Sequence, residues 1–297
     1  TYTQVWDTLQ QPTGPSAKQL IHVQPQINDL YSLYELFAKE RKERGAMDFE
    51  TVETRIISND MGKIEQIVPF IRNNAHRLIE ECMLAANTCA ADFIKHHKRA
   101  GLYRVHEGPT MDKLTTLREF LRSIGLQLGG GAEPTGKDYA AMLDSARARP
   151  DFQILQTMAL RSMQQAIYSP DNSGHFGLAY EAYTHFTSPI RRYPDLLVHR
   201  VIKSILDKKT YLPVVSGVDK VKGDTAKEHE HAVWDRLGLM LSADERRADD
   251  ASRDVEAWLK CWYVREHVGE IFSGKVTGVT TFGLFVTLDT LFVEGLV

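Results

Sequence analysis

Cysteine is scarce: Cys82, Cys89 and Cys261 are an odd number with no C-x-x-C spacing. They support neither a disulfide framework nor a zinc site, so the thiols are expected to be reduced and buried. No apolar stretch approaches the ~20 residues that a membrane-crossing helix needs, and no apolar leader opens the sequence. The expectation is a cytoplasmic protein with no membrane partner. Neither charge is in large excess: 36 Lys and Arg against 39 Asp and Glu leave −3. That balance excludes a wholly basic coat for nucleic acid and leaves room for a local basic patch. No repeat period emerges. Gly129-Gly130-Gly131 has no strand pattern before it and no Lys-Ser/Thr after it, so it reads as a loop and not a phosphate cradle. His96-His97 and His229-Glu230-His231 lack the i, i+4 pairing of a zinc helix and read as surface.

What is present is a globular composition, 43% hydrophobic and 25% charged over 297 residues, roughly two domains at ~150 residues each. Helical spacing marks 27–42, ended by Gly45; the Gly- and Pro-free 71–95; 111–121, 137–148 and 151–165; and the long charged 226–264. Runs with partial alternation at 49–57 and 63–68 flank Ser58-Asn59-Asp60-Met61-Gly62 and predict a hairpin. The aromatic 174–186 predicts strand, and 207–224 predicts loop. From Gly269 the pattern alternates, β-rich and glycine-punctuated, as at the start of a barrel, which places a domain boundary near 265. Phe282 and Phe285 around Gly283, with Lys275 nearby, form either a stacking surface for single strands or an ordinary hairpin.

The passage richest in chemistry is Tyr183-Thr-His-Phe-Thr-Ser-Pro-Ile-Arg-Arg-Tyr-Pro-Asp. Ser188 before Pro189 predicts a helix start with Arg191 in the first turn, where free N–H groups and a guanidinium fork favour phosphate. Pro194 would kink that helix or split it into two starts. Arg191 and Arg192 with His185 and Tyr193 make a nucleic-acid-binding pattern; the alternative is a capped helix whose arginines pair with surface carboxylates. One of Glu80 and Glu81 must lie near the buried stripe of its helix, to bind a metal, hold a sugar hydroxyl or pair with Arg77. Phe49, opening the hairpin, is either a base-stacking platform or a core aromatic.

Taken together, Gly174-His-Phe-Gly-Leu-Ala, the Tyr183 to Asp195 run, Ile79-Glu-Glu-Cys-Met-x-x-Ala-Asn87, Glu245-Arg-Arg-Ala-Asp249 and Arg253-Asp-Val-x-x-Trp-Leu259 resemble the ribonuclease II/ribonuclease R (RNB) family, on its bacterial ribonuclease R branch. The resemblance spans nearly the whole chain. It implies the α+β, helix-rich C-terminal portion of an RNB catalytic domain over 1–264, followed over 265–297 by the start of a truncated S-one-type OB-fold. It further implies a processive, hydrolytic 3′ to 5′ exoribonuclease that takes single-stranded 3′ ends of RNA, degrades single-stranded or structured RNA to nucleoside 5′-monophosphates, and uses Mg²⁺. By matching positions, Arg191 falls on the arginine holding the scissile phosphate, Glu80 on the glutamate contacting the terminal nucleotide, and Phe49 on the aromatic stacked on the 3′-terminal base.

The chain departs from the family pattern in one respect that bears on chemistry: no Asp-x(5)-Asp-x-Asp-Asp metal cluster occurs in it. With Thr1 in place of methionine and Val297 inside a strand pattern, the expectation is a fragment, inactive alone. The rival expectation is a non-catalytic RNA-binding module that keeps only the channel wall. Nothing in the sequence names a protein partner.

Overall fold

The computed structural model describes residues 1–49, 53–220, 223 and 225–297. In chain order the elements are α1 (Tyr2–Gln10), α2 (Pro15–Gln19), α3 (Gln24–Arg44), β1 (Thr54–Ser58), β2 (Ile64–Pro69), α4 (Asn74–His96), β3 (Tyr103–Val105), α5 (Met111–Ser123), α6 (Gly136–Ala146), α7 (Phe152–Ser162), β4 (Ile167–Ser169), α8 (Tyr193–Leu206), α9 (Ala226–Val264), β5 (Gly274–Thr280), β6 (Gly283–Leu288) and β7 (Glu294–Leu296). The class is α+β and helix-rich, as expected. Two compact units divide it: residues 1–49 with 73–243, and 50–72 with 244–297. No helix among the described residues is long and apolar enough to cross a membrane.

The first unit has two main cores. One joins α5, α6 and α7 through Leu114, Leu117, Leu121, Tyr139, Leu143 and Leu155. The other gathers Ala90 and Ile94 of α4, Leu197, Val198 and Val201 of α8, and Val233, Trp234 and Leu237 of α9 around Tyr168. Three- and four-residue spacing places these side chains on one stripe of each helix, and that burial, rather than helix propensity, holds the elements together. Gly238 of α9 lets β4 approach: a Cβ there would stand 2.5 Å from the Tyr168 carbonyl oxygen. One turn on, the Ser242 hydroxyl accepts the Tyr168 N–H at 2.9 Å. Helix α3 ends on Gly45 at φ +83°, as its sequence predicts, and a side chain at that position would collide with Lys137.

In the second unit β1 and β2 form the expected hairpin, paired from Thr54↔Pro69 to Ser58↔Ile64. Strands β5, β6 and β7 make an antiparallel sheet that does not close, in keeping with an incomplete barrel. Phe282 is exposed and meets Phe285 edge to face at 6.4 Å, while Lys275 lies 3.8 Å from Asp289.

Three expectations are corrected, and parts of two others fall outside the described residues. Phe49 precedes the hairpin and packs against the α5–α7 core. Residues 50–52, assigned to the first strand, and 221, 222 and 224 of the 207–224 loop lie outside the described residues. Segment 174–186 is not a strand: it holds a 3-10 turn at Phe176–Leu178 and isolated bridges at His175, because Gly174 and Ala179 take positive φ and break any ladder. Cys89 and Cys261 are exposed and Cys82 half-buried. On α4 the buried stripe runs through Leu78, Glu81, Asn87 and Ala90, which turns the thiols toward the edge.

Candidate nucleic-acid interface

The site is built on the loop 182–192, stitched to three elements of the first unit. Along β3, Arg104 N–H donates to the Tyr183 carbonyl at 2.8 Å, and the Thr184 hydroxyl donates to the Leu102 carbonyl at 2.6 Å. From α4 the buried Asn87 donates to the Tyr183 hydroxyl at 2.9 Å and accepts the Phe186 and Thr187 N–H groups at 2.9 and 3.2 Å. From α8, His199 stacks on Phe186 at 4.2 Å, and the fully buried Asp195 accepts the Ser188 N–H at 2.7 Å. Buried polar side chains cost stability unless bonded, so each of these anchors specifies one loop conformation.

The turn at the end of this loop differs from the sequence expectation. Helix α8 starts at Tyr193, so Arg191 precedes it instead of lying in its first turn. Pro194 occupies the start of α8, where a missing N–H costs nothing. The Ser188 carbonyl accepts the N–H groups of both Arg191 and Arg192, at 3.3 and 3.0 Å. The two arginines then part company. Arg192 turns inward to an ion pair with Asp195 at 2.8 Å, whereas Arg191 is exposed and takes no ion pair among the described residues. Tyr193 is exposed on α8, with the Arg200 guanidinium 5.9 Å from its ring centre.

Behind the turn lies an aromatic array edged with guanidinium groups. Tyr180 and Tyr183 stack at 5.8 Å; Tyr183 meets His185 and His175 edge to face; His185 is hydrogen-bonded to the Tyr168 hydroxyl at 2.8 Å. Arg44 lies over Tyr180 at 4.0 Å and Arg104 over Tyr168 at 4.6 Å. Burial, followed by the charges of Arg192 and Arg104, pushes the pKa of His185 down to about 2. Burial, then His106 and Arg104, takes that of His175 to about 3. Both rings are therefore neutral at pH 7, kept so chiefly by burial, and the charge beside them is that of arginine, the side chain suited to phosphate.

The remaining predicted residues lie along α4. Glu81, not Glu80, is the buried carboxylate, and its partner is Arg41 of α3 at 2.7 Å, not Arg77. Arg41 also donates to the Met47 carbonyl at 3.2 Å and thereby holds the segment that carries Phe49. Glu80 is half-buried, on the same stripe of α4 as Asn87 and about 10 Å from it along the axis. Asn87, Asp195, Arg104 and Tyr168 escaped separate notice in the sequence, since each serves the site through a partner distant in the chain. No group of three or more His, Cys, Asp or Glu side chains suited to a metal converges among the described residues.

Comparison with known proteins agrees with this architecture. The RNB domain family matches residues 1–208. Ribonuclease R of Vibrio cholerae is 47% identical over 299 residues, an alignment that takes in all of this chain and 36% of that protein. Ribonuclease R of Escherichia coli is 46% identical over 300 residues with the same coverage. Among solved structures, Mycoplasma genitalium RNase R in complex with ribose methylated single-stranded RNA superposes with a TM-score of 0.85 at 25% identity, covering 99% of this chain and 44% of that one. The chain thus spans about a third of the length of the curated relatives it matches. With the fold, the loop motif and these relatives in agreement, the chain belongs to the RNB family of ribonucleases.

Proposed function

We propose that this chain supplies the phosphate-gripping wall of a processive 3′ to 5′ exoribonuclease that hydrolyses single-stranded or structured RNA to nucleoside 5′-monophosphates in the cytoplasm. On this reading residues 1–264 are RNB catalytic domain and 265–297 begin an S-one-type OB-fold. The observation that carries it is Arg191, an exposed guanidinium with no ion pair among the described residues, on a turn fixed from three sides and before an array of neutral rings and further arginines. Such a fork binds a phosphate in two-point fashion and counters the charge that builds on it during hydrolysis. Phe49 stacks on the terminal base, Glu80 contacts its sugar, Tyr193 lines the path of the strand, and His185 and Arg192 back that path from inside the turn. That the relative from Mycoplasma genitalium was solved with single-stranded RNA supports RNA as the partner.

Mg²⁺ is the cofactor that family resemblance implies. A hard cation takes several oxygen ligands, and the described residues offer no such cluster, so they do not fit the ion and no step here passes through it. The same observation favours a second reading, in which this chain binds RNA without cleaving it. The two are separated by assaying the 297-residue chain and a chimera in which it replaces the matching segment of Escherichia coli Ribonuclease R. The chimera is expected to release mononucleotides from the 3′ end of single-stranded RNA, and the chain alone to release none. A chimera that binds RNA but leaves it intact supports the second reading.

A further inference from the structure

Two adjacent arginines with the same chemistry end in opposite environments, and one carboxylate makes the difference. Asp195 is fully buried in the first turn of α8, and a single oxygen, Oδ1, does two things. It accepts the Ser188 N–H at 2.7 Å and the Arg192 Nη2 at 2.8 Å. The Ser188 carbonyl in turn accepts the N–H groups of Arg191 and Arg192, so the residue that Asp195 holds by its N–H is the one whose carbonyl carries the turn. The pair is not built for greatest stability. Asp195 Oδ2 and Arg192 Nε are both buried and have no hydrogen-bond partner among the described residues, whereas a two-point pairing would have used them. Buried pairs can often be replaced by uncharged groups at no cost to folding, so stability alone is a weak reason for this one.

We infer that Asp195 is a positioning residue: by gripping Ser188 and drawing Arg192 inward it makes Arg191, and not Arg192, the guanidinium presented to an RNA phosphate. The inference rests on the proposed role of Arg191. It assigns Asp195 no contact with substrate and predicts a defect that depends on Arg191 being there.

Amide hydrogen exchange on the 297-residue chain tests the grip without reference to function. In Asp195→Asn, Ser188 and Arg191 amides are expected to exchange about 10- to 100-fold faster, the range for weakening a bond to a charged group, while Leu197–Val201 amides stay protected. If that variant fails to fold, Asp195→Asn with Arg192→Gln removes both charges together and is read instead. Unchanged exchange at Ser188 overturns the inference and leaves the proposed function untouched. The positioning role is then read in the chimera. Asp195→Asn is expected to lower kcat about tenfold with KM within a few-fold, and to cost nothing further once Arg191→Lys is present. Losses that multiply in the double variant, or a rise in KM alone, make Asp195 merely structural and overturn the inference. Full turnover in Arg191→Lys overturns the proposed role of Arg191, and this inference with it.

Discussion

Acid should unfold the first unit earlier than its carboxylates alone would dictate, because three of its histidines are held neutral. Unfolded histidine takes up a proton near pH 6.5, whereas in the fold burial and neighbouring guanidinium groups push His185 down to about 2 and His175 to about 3. His106 is also lowered, chiefly by burial. The folded state therefore binds fewer protons between pH 6.5 and 3, and stability present above pH 6.5 is lost as pH falls through that window. Each group loses roughly 1.4 kcal/mol per pH unit, about 2 kcal/mol by pH 5, so His185 and His175 together lose about 4 kcal/mol. That is a large share of an ordinary domain's 5–15 kcal/mol. Its upper part, from pH 7 to 5, lies above the range in which most unfolded carboxylates titrate, which isolates the histidines there. Urea unfolding at pH 7, 6 and 5, followed through amide protection of Leu197–Val201, reads the loss, and His185→Gln should remove about a third to a half of the slope. A flat profile from pH 7 to 5, or an unchanged slope in that variant, refutes the reasoning.

Phe49→Ala in the chimera should lose roughly 1–3 kcal/mol of affinity for a short RNA, the worth of one base–aromatic contact, and Phe49→Trp should restore it. A large fall in Tm with unchanged affinity would return Phe49 to its contacts with the α5–α7 core. At the Arg41–Glu81 pair, Arg41→Ala should cost about 3–5 kcal/mol by stranding a buried carboxylate, while Arg41→Met with Glu81→Leu should cost far less; equal losses in thermal unfolding would show that the charge is not what matters.

Most of the helical frame was legible in the sequence. The Gly- and Pro-free run of α4, the hairpin around Ser58 to Gly62 and the long α9 each carry a periodicity that local chemistry enforces. Less legible were elements made by distant partners. Strands β3 and β4 are three residues each and pair Tyr103 with Ser169, so neither is long enough to show alternation. On α4 the sequence left open which of Glu80 and Glu81 is buried and did not single out Asn87, since a buried polar residue is stabilised by a partner that sequence spacing does not reveal. The start of α8 was misplaced for the same reason: Ser188 and Pro189 are sound local start signals, but Asp195 takes the Ser188 N–H and leaves a turn in front of the helix. The motif from Tyr183 to Asp195 pointed to the candidate site; which of its arginines stays exposed is a property of the fold.

The most direct test of the account is the steady-state hydrolysis of single-stranded RNA by the chimera and its Arg191→Lys variant. Lysine keeps the charge but loses the planar fork, so kcat is expected to fall by more than about tenfold while KM stays within a few-fold, the mark of a contact strongest in the transition state. Equal turnover in the two proteins would contradict the claim that Arg191 grips the phosphate during hydrolysis, and a rise in KM with kcat unchanged would reduce Arg191 to an anchor for bound RNA.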